Sequence, residues 1–489
     1  MLPNFPIRTR TRRFASSAYS VAIVIAILST QTRANVPDEQ MPDLSKVFAA
    51  ARARQGKRPI ILVPGILTTK LVNSKTGETV WPSAFRSDDD ELSLPINGDP
   101  LNSRDSLVAT KAIEKTRFLP LTPKVNILGG TLEALRNHAG YKEGNWEDPA
   151  PDGDRDTFYT FVYDWRLDNV QMAQLLITRI EALKAKLNRP DLRFDVVAIS
   201  MGGLIARYAA MYGAQDLPPN GAVPALNWAG AAHFEKILMF GVPNEGSMEA
   251  FATILNGYSI NEGADKPRRL FRKLSREDAF SGLAVFQLMP HGPTVRFLNQ
   301  DLQPVKIDLY DPANWKLYGW SIAHDPKYVK RFAKEETASN HSSVSVLQVH
   351  LAAILNRTRR FHEALDAPLA GAPPIPLLAF AGDCADTLNA AVVFYDKKKS
   401  RWVTVTSPKA LRASNGQTIS RDQVQRAMYI PGDGRVTRAS VLGETRTVTD
   451  VHRVHQPLPV AHSFFACGGH GSLHNNRILL NNALSILVR

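Results

Sequence analysis

Val196-Val197-Ala198-Ile199-Ser200-Met201-Gly202-Gly203-Leu204 reads as the end of a buried strand, a sharp turn with a serine at its apex, and the start of a helix. Small residues, Ala198 and Gly202, stand two before and two after the serine. A turn this tight brings those two backbones together, where larger side chains would collide and bury the hydroxyl. The pattern is that of a nucleophile elbow, with alanine where the motif has its leading glycine. A pentapeptide of this kind recurs by chance, and a serine here is also a fair helix cap; the strand before it and the helix after it favour the nucleophile.

Working outward, apolar runs and helical patterns alternate. Pro59 to Val63 predicts a buried strand ending at the turn Pro64-Gly65, and Tyr159 to Tyr163 a second. Met172, Leu175, Leu176, Ile180, Leu183 and Leu187 recur at helical spacing until Asn188 and Pro190. Arg193 to Ile199 is the next strand, Gly202 to Tyr212 a helix, and Lys236 to Phe240 another strand. Such alternation predicts an α/β protein of the α/β-hydrolase fold: a mostly parallel sheet with helices on both faces. From Pro243 to about residue 343 the alternation fails, which predicts an inserted cap or lid. The core is expected to resume with a helix over 344–365, a strand at Pro376 to Phe380, a hairpin over 391–406 and a terminal helix. The expected segments are therefore a leader peptide (1–34), a polar lead-in (35–57), core (58–242), cap (243–343) and core again (344–489).

The first residues carry Arg8, Arg10, Arg12 and Arg13 before an apolar stretch centred on Val21 to Leu28, and Thr32 and Ala34 are small residues at the positions a signal peptidase reads. Export to a periplasm or the exterior is expected after cleavage at Ala34, an uncleaved anchor being the alternative reading. Removing 1–34 takes away five arginines and no acid, so the formal charge falls from +13 to +8. A basic surface of this kind is compatible with approach to anionic lipid, although a solvated face explains it as well. No nucleic-acid motif and no metal-ligand cluster is evident, and no cofactor is expected. The two cysteines, Cys384 and Cys467, exclude a disulfide-dense scaffold.

A serine hydroxyl becomes nucleophilic when a histidine takes its proton, and a carboxylate then stabilises the imidazolium. In this fold the acid and histidine follow the serine in that order. Asp383, just after the strand ending near Phe380, and Asp433, within Pro431-Gly432-Asp433-Gly434-Arg435-Val436, both meet the requirement. Five histidines follow Asp433: His452, His455, His462, His470 and His474. His470, in a Gly-rich loop before the last helix, is favoured over His474 and His462. Two backbone N–H groups are needed for the oxyanion; Met201, after the serine, and Ile66, in the turn after the first strand, are the candidates.

These segments together resemble the lecithin:cholesterol acyltransferase family, over most of residues 58–485. The matching pieces are Leu62-Val63-Pro64-Gly65-Ile66, Tyr163-Asp164-Trp165-Arg166, the elbow, Leu288-Met289-Pro290, Gly432 to Val436, and His470-Gly471-Ser472-Leu473-His474-Asn475-Asn476. The resemblance moves the acid to Asp433 and favours His470. It also likens Trp81, followed by Pro82, to a tryptophan near the acyl site, a core tryptophan being an equal reading. Ala198 and Arg435 depart from the family pattern, as does the lack of a cysteine pair near residue 81. A bridge between Cys384 and Cys467 would tie the histidine loop to the sheet, two buried unpaired thiols being the alternative reading.

The resemblance implies a lipid O-acyltransferase or phospholipase that passes an acyl chain from a lipid ester through Ser200 to an alcohol or to water. A secreted carboxylesterase or lipase is the nearest alternative. A catalytically idle lipid-surface binding protein is the alternative from another class.

Overall fold

The computed structural model describes residues 41–83, 92–116, 124–219, 221–259, 272–292, 296–335, 343–368, 371–443 and 458–489. The expected leader peptide and the candidates His452 and His455 lie outside them. Seven strands make the central sheet: β1 (Ile60–Val63), β2 (Lys142–Glu143), β3 (Thr157–Thr160), β4 (Phe194–Ile199), β5 (Phe234–Phe240), β6 (Leu377–Ala381) and β7 (His462–Phe465). Their order is β7-β6-β5-β4-β1-β3-β2, and every neighbouring pair is parallel. The main helices are α1 (Asn169–Lys186), α2 (Met201–Tyr212), α3 (Ser343–Leu365) and α4 (Arg477–Leu487).

The central strands carry apolar side chains on both faces because both faces are covered. Ile61, Val63, Val196, Ala198, Ile237 and Met239 point into one cluster with α1 and α2. Ile60, Leu62, Val197, Ile199, Leu238 and Phe240 point into another with Leu128, Leu132 and the α4 residues Leu479, Leu480, Ala483 and Leu484. The period of two thus sorts each strand between two helical layers.

Predicted and observed elements agree within a few residues through the core. Two strands are additional. β2 is only two residues long, and β7, His-Ser-Phe-Phe at the sheet edge, is half exposed and lacks an apolar run.

A third large cluster draws on the stretch expected to form the cap. It joins Met248, Phe251, Phe280, Phe286, Trp315 and Trp320 with Leu388, Val392, Val405, Val424 and Met428. The hairpin of Ala391–Asp396 and Arg401–Val405 pairs with Phe297–Leu298 in a four-stranded cap sheet, not with the central one. α3 divides along its length: Leu347, Leu351, Ile354 and Leu355 pack in the cap, and Phe361, Ala364 and Leu365 in the core. The cap is therefore built from two separated stretches of chain, and the linear boundaries at 243 and 343 do not coincide with the packing. A pentapeptide-scale reading misses this because the hairpin's apolar alternation says that one face is buried and not against what.

Among the described residues no helix is long and apolar enough to cross a membrane.

Candidate active site

Ser200 lies between β4 and α2 with φ 50° and ψ −124°, a conformation that costs a residue with a Cβ on the order of 1–3 kcal/mol. Neighbouring strands hold it there. The Ser200 N–H donates to Phe240 O at the end of β5 (2.8 Å), and Ser200 O accepts from Gly203 N–H (2.9 Å). The turn presses against β1 so closely that a Cβ on Gly202 would lie 2.3 Å from Val63 O and 2.5 Å from Pro64 O. The alanine that departs from the motif is accommodated: Ala198 pairs with Val63 and Met239 in the sheet and is fully buried among the core side chains.

His470 Nε2 stands 2.9 Å from Ser200 Oγ, and His470 Nδ1 stands 2.8 Å from Asp433 Oδ2. The other oxygen, Asp433 Oδ1, accepts from the backbone N–H groups of Arg435 (3.0 Å) and Val436 (2.8 Å). Each carboxylate oxygen thus has its own donors, and the group is only 2% exposed. The turn is held from outside too, because Thr387 Oγ1 accepts from Gly434 N–H at 2.9 Å. The backbone N–H of His470 donates to Asp433 O at 2.9 Å, so the histidine and its acid are coupled through main chain as well as side chain. A Cys384–Cys467 disulfide joins the segment after β6 to the loop three residues before His470. Ala385, next to Cys384, bridges to Asp433.

The competing candidates are elsewhere. Asp383 forms an ion pair with Arg438 (3.7 Å). His462 is exposed on β7. His474 donates from Nε2 to Ile127 O (2.6 Å) and is almost fully buried, and burial pushes it down to about 4. With Asn475, which bonds Ile127 O and Thr131 N–H, it anchors the base of the histidine loop. The His-Gly-Ser-Leu-His-Asn-Asn segment therefore contains one residue facing Ser200 and several that fix its approach.

Ile66 and Met201 flank the serine. Met201 opens α2, where first-turn N–H groups have no intrahelical partner. Ile66 follows Gly65, on which a Cβ would lie 3.1 Å from the Cβ of Ser200. Three side chains hold the carbonyls around Ile66. Tyr163 Oη donates to Pro64 O (2.7 Å), Thr68 Oγ1 to Gly65 O (2.6 Å) and Trp81 Nε1 to Leu67 O (2.8 Å). Burial pushes the Tyr163 phenol upward, which keeps it a donor. Trp81 is 3% exposed and packs edge-on against Trp165. It is a core residue under this turn.

The Tyr-Asp-Trp-Arg motif completes the support. Trp165 Nε1 donates to Thr69 O (3.3 Å), and Thr69 Oγ1 donates to Tyr163 O (2.8 Å). Arg166 is held by Asp105 and Asp164 at 2.6 and 2.7 Å. The roles of Tyr163 and Thr68 were not evident from sequence, though the motif marked the first; Thr387 carried no signal at all. Among the described residues no group of three or more His, Cys, Asp or Glu side chains is placed to hold a metal.

The all-parallel central order, the serine elbow after β4 and the histidine loop before the last helix define the α/β-hydrolase fold. No family model matches the chain, and no curated protein matches it. Solved structures similar to it include the Tle4–Tli4 complex, at 12% identity and a TM-score of 0.49, covering 88% of this chain and 98% of that one. EstA from Clostridium botulinum is similar at 11% identity and a TM-score of 0.32, covering 92% of each chain.

Proposed function

We propose that this protein is a serine-dependent enzyme acting on lipid esters, a phospholipase or O-acyltransferase of the kind its motifs resemble. The observation that carries the reading is the continuous hydrogen-bonded line Ser200 Oγ, His470, Asp433 at a strained elbow.

In this mechanism His470 Nε2 takes the Ser200 proton as Oγ attacks the ester carbonyl, and Asp433 stabilises the imidazolium. The oxyanion is received by the N–H groups of Ile66 and Met201. His470 then gives its proton to the departing alkoxide, leaving an acyl-serine. Water or an alcohol, deprotonated in turn by His470, attacks the acyl carbon and restores the free serine. The specific resemblance in Tyr163 to Arg166 and in the histidine loop supports the lipid acyl class.

Export is part of the proposal. An exposed disulfide accords with an oxidising compartment, as does the N-terminal pattern.

The test is incubation of the purified protein with a phospholipid and a long-chain alcohol, followed by mass spectrometry of the lipids. Fatty acid or alkyl ester that disappears in Ser200→Ala is expected. Absence of both, with no Ser200-dependent fluorophosphonate labelling, would overturn the proposal. Fatty acid from simple esters alone, with phospholipid untouched, would reduce it to a carboxylesterase.

A further inference from the structure

The cap sheet ends in an exposed hairpin whose tip reads Lys397-Lys398-Lys399-Ser400-Arg401. All four cations are exposed, and the acid near them, Asp396, receives the backbone N–H groups of Lys398 and Lys399 and lies 3.9 Å from Lys399 Nζ. Behind the tip runs a ladder of aromatic rings. Trp320, 1% exposed, stacks on Tyr318 (4.7 Å); Tyr318 meets Trp402 edge-on (4.9 Å); Trp402 meets Tyr395 (5.8 Å), its register partner. Tyr395 is 46% exposed, and Leu317, beside Tyr318, is 53% exposed.

A charge run alone would be a solvated turn. Here it sits on a graded aromatic edge, and rings with one apolar body and one polar end favour the boundary between lipid and water. Clustered cations beside such rings match the anionic headgroup layer in charge, with the rings at the depth where headgroups give way to acyl chain. The tip is fixed by the cap core, so docking needs no folding of a loose segment.

We infer that the Lys397–Arg401 hairpin, with Tyr395 and Leu317, docks the cap onto an anionic lipid surface. The occupant rests on the proposed action on lipid esters, but binding is read without turnover, so the two ideas fail separately.

The experiment is flotation of the purified protein, and of its Ser200→Ala variant, with phosphatidylcholine vesicles with or without 30% phosphatidylglycerol. Both proteins are expected to bind the anionic vesicles at least about tenfold better in low salt, at roughly fivefold per cation. The triple change Lys397→Glu, Lys398→Glu and Lys399→Glu is expected to abolish that preference while turnover of a short soluble ester stays within about twofold, which also shows that it folds. Tyr395→Ser should bind in low salt and release at moderate salt, where the parent holds. Equal binding of parent to neutral and anionic vesicles, or unchanged binding by the triple variant, would overturn the inference. So would retention on a sulfated polysaccharide without any vesicle binding.

Discussion

Tyr163 Oη donates to Pro64 O across 2.7 Å, entirely inside the protein. The bond connects the segment after β3 with the turn that carries Ile66, so it acts on the proposed oxyanion donor without reaching the substrate.

Tyr163→Phe keeps the ring and leaves a buried carbonyl oxygen without its donor, a change worth about 1–3 kcal/mol in stability. If the bond aims the Ile66 N–H, kcat on a soluble ester should fall about tenfold with KM nearly unchanged. Urea denaturation and steady-state kinetics measure both. A purely structural role would lower stability and leave kcat of the folded fraction alone.

Asp433→Asn offers His470 an amide and disturbs the N–H bonds from Arg435 and Val436. Turnover is expected to drop by about 10⁴-fold. Asp383→Asn, which weakens the ion pair with Arg438, is expected to retain activity within about threefold. A comparable loss in both variants would remove Asp433 from its assigned role.

The exposed Cys384–Cys467 bridge closes a loop across a sequence separation of 83 and ends three residues before His470. Opening it should cost on the order of 2–4 kcal/mol of stability and free the histidine loop from the segment after β6. Activity is expected to fall severalfold in mild reductant, in parallel with thiol release, and to return on reoxidation. Cys384→Ser should show the lowered activity without reductant and no further response to it.

Acid should weaken the fold partly through His474. Burial lowers it from 6.5 to about 4, so between those values the unfolded chain takes up a proton that the folded chain refuses. Its contribution is fully present above about pH 6.5 and is lost as pH falls toward 4, up to roughly 3 kcal/mol. Asp195, which burial raises to about 6, works the other way between about pH 4 and 6, because its unfolded form releases the proton first. Urea midpoints at pH 7 and pH 5 in parent and His474→Gln isolate the histidine. The variant should lose less stability over that interval, and an equal loss would contradict the assignment.

How far the sequence could be read follows the range of each signal. β1, β4, β5 and β6 are short apolar runs buried on both faces, so local composition sufficed. Ser200 was legible because its constraint is local, with small residues on either side of one turn. His470 and Asp433 were not fixed by spacing alone, since Asp383, His462 and His474 satisfy the same chain order. The Gly-rich loop before the last helix favoured His470 and the resemblance moved the acid to Asp433, and in the fold a 2.9 Å contact distinguishes His470 from His474, whose own bond goes to Ile127. The hairpin at 391–405 was legible as a hairpin, yet its partner, Phe297–Leu298, is about ninety residues away, and nothing local points to it. Trp81 shows the same limit: size and apolarity suggested a buried ring, and only the fold shows its N–H bound to Leu67.

α3 belongs half to the cap and half to the core. Anyone grafting a different cap onto this scaffold must therefore splice within a continuous helix and carry residues 388–428 along with it. A chimera cut at the two apparent ends of the insertion would strand Leu347, Leu351 and Ile354 on the recipient and strip the transplanted sheet of its hairpin. Inheritance of substrate preference in this architecture should consequently travel with whole interleaved blocks, and a simple exchange of one loop would carry little of it.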